Sequence, residues 1–321
     1  MKRVGKVLGY VLLGLVVMVA ALLTYVKTAL PNVGAAPELK VEMTPERIAR
    51  GEYLANHVTV CMDCHSTRDF STFSGPLVPG TLGKGGEMFD EKMGFPGTFY
   101  ARNITPAGLK NWTDGEIYRA ITTGVSRDGH ALFPVMPYSY YARMDPEDIH
   151  SIIAYVRTLK PIENAVPESN ASFPFNFILN TIPQKASPSV RPSASDALAY
   201  GEYLANAAGC KECHTQVENG QIIPEKAFAG GRNFQLPGGV LYTANITPDR
   251  ETGIGKWTKE AFVARFKTYA DSSYRAPKAT GFQTIMPWTM YGGMTEEDLG
   301  SIYVYLRSLK PARNAVKVFV P

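Results

Sequence analysis

Residues 61–65 read Cys-Met-Asp-Cys-His (CMDCH), and residues 210–214, starting 149 positions later, read Cys-Lys-Glu-Cys-His (CKECH). The run GEYLAN precedes each, at 51–56 and 201–206. Two cysteines and a histidine at this spacing suit three chemistries: a zinc ligand set, a redox disulfide or thioether-linked haem. Cys61, Cys64, Cys210 and Cys213 are the only four cysteines in the chain, so every thiol is committed to these two turns.

The likeness extends outward from the two turns. ARNITP at 101–106 matches ANITP at 244–248, and each is followed by a tryptophan before a helix start, Trp112-Thr113 and Trp257-Thr258. VMPYSYYARM (135–144) matches IMPWTMYGGM (285–294), and AYVRTLKPIENAV (154–166) matches VYLRSLKPARNAV (304–316). The order and offset are kept, so one module is written twice. Each half reads as helical with long loops. Thr44-Pro45-Glu46 starts a short helix that leads into the first cysteine turn. Thr113 and Glu116 have capping-box spacing. Asp145-Pro146 opens a third helix that Pro161 stops, and its twin runs from Thr295 to Pro311. Residues 75–111 show no period and read as a long functional loop. The expected layout is an anchor at 1–28, a first domain at 44–166, a connector at 167–195 and a second domain at 196–321. The connector's aromatics, Phe173, Phe175 and Phe177, are expected to pack between the modules in preference to lying against the membrane or a partner.

Residues Val7–Val26 form an uncharged run of 20, the length that crosses a bilayer's hydrocarbon core. Lys2, Arg3 and Lys6 precede it, which puts the N-terminus in the cytoplasm and the rest of the chain outside. The run lacks a convincing A-x-A cleavage site, so an uncleaved anchor is expected rather than a signal peptide. Setting aside Lys2, Arg3, Lys6 and Lys27 leaves 29 basic against 29 acidic residues, and no basic stripe interleaves with aromatics. Nucleic-acid binding is therefore not expected.

A duplicated zinc site needs duplicated ligands, yet His57, His130 and His150 all lie in the first half. A thioredoxin-like pair needs strand–helix alternation, which is absent from the pattern. C-x-x-C-H is the attachment signature of c-type haem, in which both thiols add across vinyl groups and the adjacent histidine binds iron. Two covalently bound haem c groups are expected, on Cys61/Cys64 and Cys210/Cys213, with His65 and His214 on one face of the iron. Met136-Pro137 and Met286-Pro287 follow the motif histidines by 71 and 72 residues, and methionine is a usual second ligand. Met136 and Met286 are the preferred candidates. Met144 and Met294 also repeat, but just before a helix start, where packing is expected. His130 is the rival in the first half. Asn103-Ile-Thr and Asn245-Ile-Thr match the glycosylation pattern but read as loop structure.

These motifs give the chain its family resemblance. GEYLA with CxxCH, the NITP loops, MPY/MPW and the YLRSLKP-type helix make it resemble a two-haem member of the class I cytochrome c superfamily, in particular the cytochrome c subunits of membrane-bound alcohol and gluconate (quinone) dehydrogenases. The resemblance covers the chain after residue 43. It implies a mainly α fold of two tandem cytochrome c domains after an N-terminal transmembrane helix. It also implies His65/Met136 and His214/Met286 as axial ligand pairs, and a place on the periplasmic side of a bacterial cytoplasmic membrane. Such subunits usually have three haem modules; this chain has two.

Iron held by His and Met is coordinatively full, which favours electron transfer over catalysis. The expected role is therefore non-enzymatic. Electrons would enter from a dehydrogenase or quinol-oxidising complex and leave to a downstream cytochrome or terminal oxidase. The alternative is a di-haem peroxidase or related oxidoreductase with an open first haem.

Overall fold

A computed structural model describes residues 2–218, 220–236, 238–270, 277–278 and 281–321. Helices are the main regular element, and the strands beside them are only two to four residues long. Helix α1 (Lys2–Thr28) is long and apolar enough to cross a membrane, and the rest of the chain leaves its apolar window uncovered. Its foot is seated: Asn180 Nδ2 donates to Val26 O (3.2 Å), and Lys27 Nζ lies 5.0 Å from the Phe177 ring centroid. The strap that follows is also held. Val41 N donates to Asp114 Oδ2 (2.9 Å), and a Cβ on Gly115 would fall 1.8 Å from Pro37 O.

In the first module, α2 (Pro45–Tyr53) starts at Thr44, whose hydroxyl accepts from Arg47 N. A π-turn over Leu54–Val58 leads to α3 (Cys61–His65). After α4 (Pro106–Leu109), α5 (Asp114–Thr123) opens with both bonds of the Thr113/Glu116 capping box. Then come α6 (Tyr138–Tyr141) and α7 (Pro146–Thr158), the latter capped by Asp145. The connector contains α8 (Phe175–Ile178). The second module repeats the pattern with α9 (Ala197–Ala207), α10 (Cys210–Cys213), α11 (Lys259–Lys267), α12 (Trp288–Tyr291) and α13 (Glu296–Ser308).

Both modules cross their first and last helices at a glycine. A Cβ on Gly51 would lie 1.7 Å from Ser151 O, and one on Gly201 would lie 1.9 Å from Ser301 O. Only glycine lets α2 and α7, and α9 and α13, approach so closely. One apolar cluster spans both modules, from Leu54, Ile149 and Ile153 to Leu204, Leu299 and Leu306. Two tyrosines are traded across the interface. Tyr53 OH donates to Asp298 Oδ2 (2.5 Å) and accepts from Thr295 N (3.2 Å); Tyr203 OH donates to Asp148 Oδ2 (2.7 Å) and accepts from Asp145 N (3.2 Å). Each partner pair differs by the same offset, so the modules meet through an approximate twofold exchange.

The long loop at 75–111 is less irregular than its sequence indicates. It contains β1 (Met88–Phe89) and β2 (Gly97–Tyr100), which pair antiparallel, and β2 then pairs with β3 (Asn170–Ala171) from the connector. In the second module, β4 (Val217–Glu218) and β5 (Gln221–Ile222) form a hairpin, and β6 (Asn233–Leu236), β7 (Gly239–Tyr242) and β8 (Phe319–Val320) form the matching sheet. The connector aromatics do not fill the space between the modules. Phe175 packs with Phe89, Phe95, Phe99 and Phe133 on the first module, where Phe99 and Phe133 stack at 3.9 Å. Phe177 sits under the foot of α1, and Phe173 is 80% exposed. The first module has its own apolar wall there, which takes up Phe175.

Candidate functional site

Each cysteine turn begins with a left-handed residue, Val60 (φ 44°) before Cys61 and Gly209 (φ 64°) before Cys210. That conformation is costly for a β-branched valine. It is held in place by neighbouring bonds: Thr59 Oγ1 donates to Leu54 O (3.0 Å), and Thr59 O accepts from Tyr141 OH (2.9 Å). Tyr291 OH makes the equivalent bond to Ala208 O (2.6 Å). Tyr141 and Tyr291 therefore pin the backbone ahead of each motif from the short helix after each Met-Pro pair. Sequence reasoning gave them no such role, although both fall within the repeated segments 135–144 and 285–294.

The motif histidines are oriented identically. His65 Nδ1 lies 2.7 Å from Arg102 O, and His214 Nδ1 lies 2.7 Å from Ala244 O. A carbonyl only accepts, so Nδ1 carries the proton and Nε2 keeps its lone pair for a metal. Burial holds both imidazoles below their usual pKa, in the neutral form a ligand needs. The NITP loops supply those carbonyls and brace them. Asn103 Nδ2 donates to Ile162 O (2.8 Å) while its Oδ1 accepts from Thr105 N and Oγ1; Asn245 repeats this with Ala312 O (2.7 Å) and Thr247. Both asparagines are buried with their amides engaged, so they are loop structure, as the pattern predicts, and are closed to sugar attachment.

None of the four thiols is in a disulfide. Burial pushes all of them up, Cys210 to about 12 and Cys213 to about 11. Among the described residues no three His, Cys, Asp or Glu side chains converge as a metal cluster. Two unpaired thiols beside an imidazole with a free Nε2 are the donor set for covalent haem, so the residues fit that group.

Met136 and Met286 are half-buried and precede α6 and α12, where their carbonyls accept from Tyr138 N and Trp288 N, both at 2.8 Å. Met144 and Met294 are 1% exposed and lie in the main apolar cluster. His130 is at the surface, with Nδ1 2.8 Å from Asp128 Oδ1.

Helical modules built round two Cys-x-x-Cys-His turns with carbonyl-anchored histidines define a c-type cytochrome. Known proteins agree. The chain is 32% identical over 223 residues to a diheme c-type cytochrome of Cereibacter sphaeroides, covering 66% of this chain and 71% of that protein. It is 30% identical over 311 residues to the fructose dehydrogenase cytochrome subunit of Gluconobacter japonicus, covering 91% and 59%. It is 29% identical over 280 residues to the cytochrome c subunit of the quinone alcohol dehydrogenase of Gluconobacter oxydans, covering 82% and 54%. The chain thus spans little more than half the length of these two dehydrogenase subunits. No protein-family model matches it. The chain belongs to the c-type cytochrome family that these three proteins represent, and haem c is that family's cofactor.

Proposed function

We propose that the chain is a membrane-anchored dihaem electron-transfer protein with two tandem class I cytochrome c domains. The domains are assigned to 44–166 and 196–321, joined by 167–195 and preceded by an anchor at 1–28. Cys61/Cys64 and Cys210/Cys213 attach one haem each. His65 with Met136, and His214 with Met286, bind the two irons, which supply one-electron exchange. The protein's residues orient the imidazoles, raise the potentials through methionine and keep both irons closed to substrate. The reading rests on one observation: the 2.7 Å bond from each motif imidazole to an NITP-loop carbonyl, made twice with the same geometry.

Because two relatives are cytochrome subunits of dehydrogenases, a membrane dehydrogenase is the proposed donor, with a quinol-oxidising complex as the other source. The acceptor is a downstream cytochrome or terminal oxidase, on the periplasmic side of the cytoplasmic membrane. Co-purification in mild detergent identifies both.

Protein matured in a host with cytochrome c assembly is expected to carry two haems by intact mass, and C61A/C64A and C210A/C213A one each. Bare thiols in the native chain sink the proposal. Ready binding of carbon monoxide by the reduced protein would instead support the open-haem enzyme.

A further inference from the structure

We infer that Ser74, in the first module, is a positioning residue for Met286 in the second, so that one module sets the ligand loop of the other. This rests on the reading of Met286 as an iron ligand. Ser74 is completely buried and has a left-handed backbone (φ 66°), a conformation unfavourable for any residue with a side chain. The surroundings hold it there. Its Oγ donates to Met286 O (2.7 Å) and accepts from Trp288 N (3.1 Å), bracketing the Met-Pro step. Its own N donates to Gln283 Oε1 (2.8 Å), and Gln283 Nε2 donates back to Phe70 O (3.0 Å) and Thr72 O (2.8 Å). The clamp is thus reciprocal: a hydroxyl from the first module holds the methionine loop, and an amide from that loop holds the segment bearing the hydroxyl.

The clamp also leads back to the first cysteine turn. Ser74 O accepts from Arg68 Nη2 (2.5 Å), and Arg68 Nη1 lies 2.7 Å from Asp63 Oδ1, between Cys61 and Cys64. A continuous path of polar contacts therefore joins the first haem turn to the second methionine. The reverse arrangement differs. Met136 O accepts from Tyr138 N of its own module, as Met286 O does from Trp288 N, but among the described residues no hydroxyl of the second module joins it, and the segment after Cys213 forms the β4–β5 hairpin. The second module does reach the first near this point through Glu212 Oε2, which accepts from Tyr140 OH (3.0 Å), four residues past Met136. That bond is made by a side chain outside the Met-Pro step.

Removing the hydroxyl leaves Met286 O and Trp288 N with only their own 2.8 Å bond across Pro287 and cuts their tie to the first module, which frees the loop to shift. The test uses the haem-loaded full-length protein in detergent. Ser74→Gly keeps the left-handed backbone and removes the hydroxymethyl side chain, hydroxyl included. It is expected to lose up to half of the sulfur-to-iron charge-transfer band, and to lower one of the two midpoint potentials while the other stays in place. Gln283→Leu frees the same loop with Ser74 intact and is expected to move the same midpoint in the same direction. It decides the matter if Ser74→Gly does not assemble. M286A identifies which half of the band belongs to the second haem. If M286A halves the band while Ser74→Gly and Gln283→Leu leave band and midpoints unchanged, the clamp is overturned and the ligand assignment survives. If M286A leaves the band whole, the assignment fails and this inference fails with it.

Discussion

Near the two motif histidines the modules repeat each other bond for bond. Farther out they part. The first module extends residues 66–78 across to the second module's methionine loop, whereas the second folds the corresponding segment into a hairpin at Val217–Ile222. The repeated contacts are those that geometry demands: a helix crossing only glycine permits, an imidazole held by a carbonyl, a tyrosine pinning the chain before the cysteines. The differing contacts sit where a copy can change without losing its cofactor turn. Two identical modules would give two equivalent centres; divergence of the loops distinguishes one from the other.

The strongest way to test the repeated part is Gly51→Ala against Gly201→Ala. Either Cβ meets a backbone carbonyl at under 2 Å, which side-chain motion cannot relieve. Each variant is expected to lose about 3 kcal/mol or more in denaturant unfolding followed by circular dichroism. Similar losses confirm equivalent crossings; a tolerated alanine in one module breaks the equivalence.

Tyr53→Phe and Tyr203→Phe sharpen the comparison at the interface. Asp148 keeps Arg50 (2.9 Å) and Arg191 (2.5 Å) when Tyr203 loses its hydroxyl. Asp298, 8% exposed, has Tyr53 as its side-chain donor among the described residues. Tyr53→Phe is therefore expected to cost about 2–3 kcal/mol and Tyr203→Phe about 1 kcal/mol. The reverse order would mean that the arginines do not compensate.

The smallest effect belongs to the caps. Thr113 completes a capping box with Glu116, while Thr258 accepts a single bond from Ala261 N. Thr113→Ala is expected to cost about 1–2 kcal/mol and Thr258→Ala about 1 kcal/mol or less, by thermal unfolding.

The helices were legible because their signals are local. Thr44, Thr113 and Asp145 cap where the pattern predicts, and Met144 and Met294 pack as their place before a helix suggests. The sheets were not, since strands such as Met88–Phe89 and Asn170–Ala171 are too short to express a period of two. The repeat marked Tyr53 and Tyr203 as equivalent but could not say that each reaches into the other module. Internal likeness fixes position within a copy and is silent on how copies face each other. The Ser74 clamp was hidden for a different reason: it belongs to one copy only, and a search for what repeats passes over it.

The seat under α1 bears on how this cytochrome meets its partners. Asn180, Phe177 and the Val41–Asp114 bond take up the slack between the helix and the first module. With α1 in a bilayer, these contacts hold the first module close to the foot of the helix instead of on a free leash. On the proposed function, donor and acceptor would then come to it, a stationary post that leaves the travelling to others.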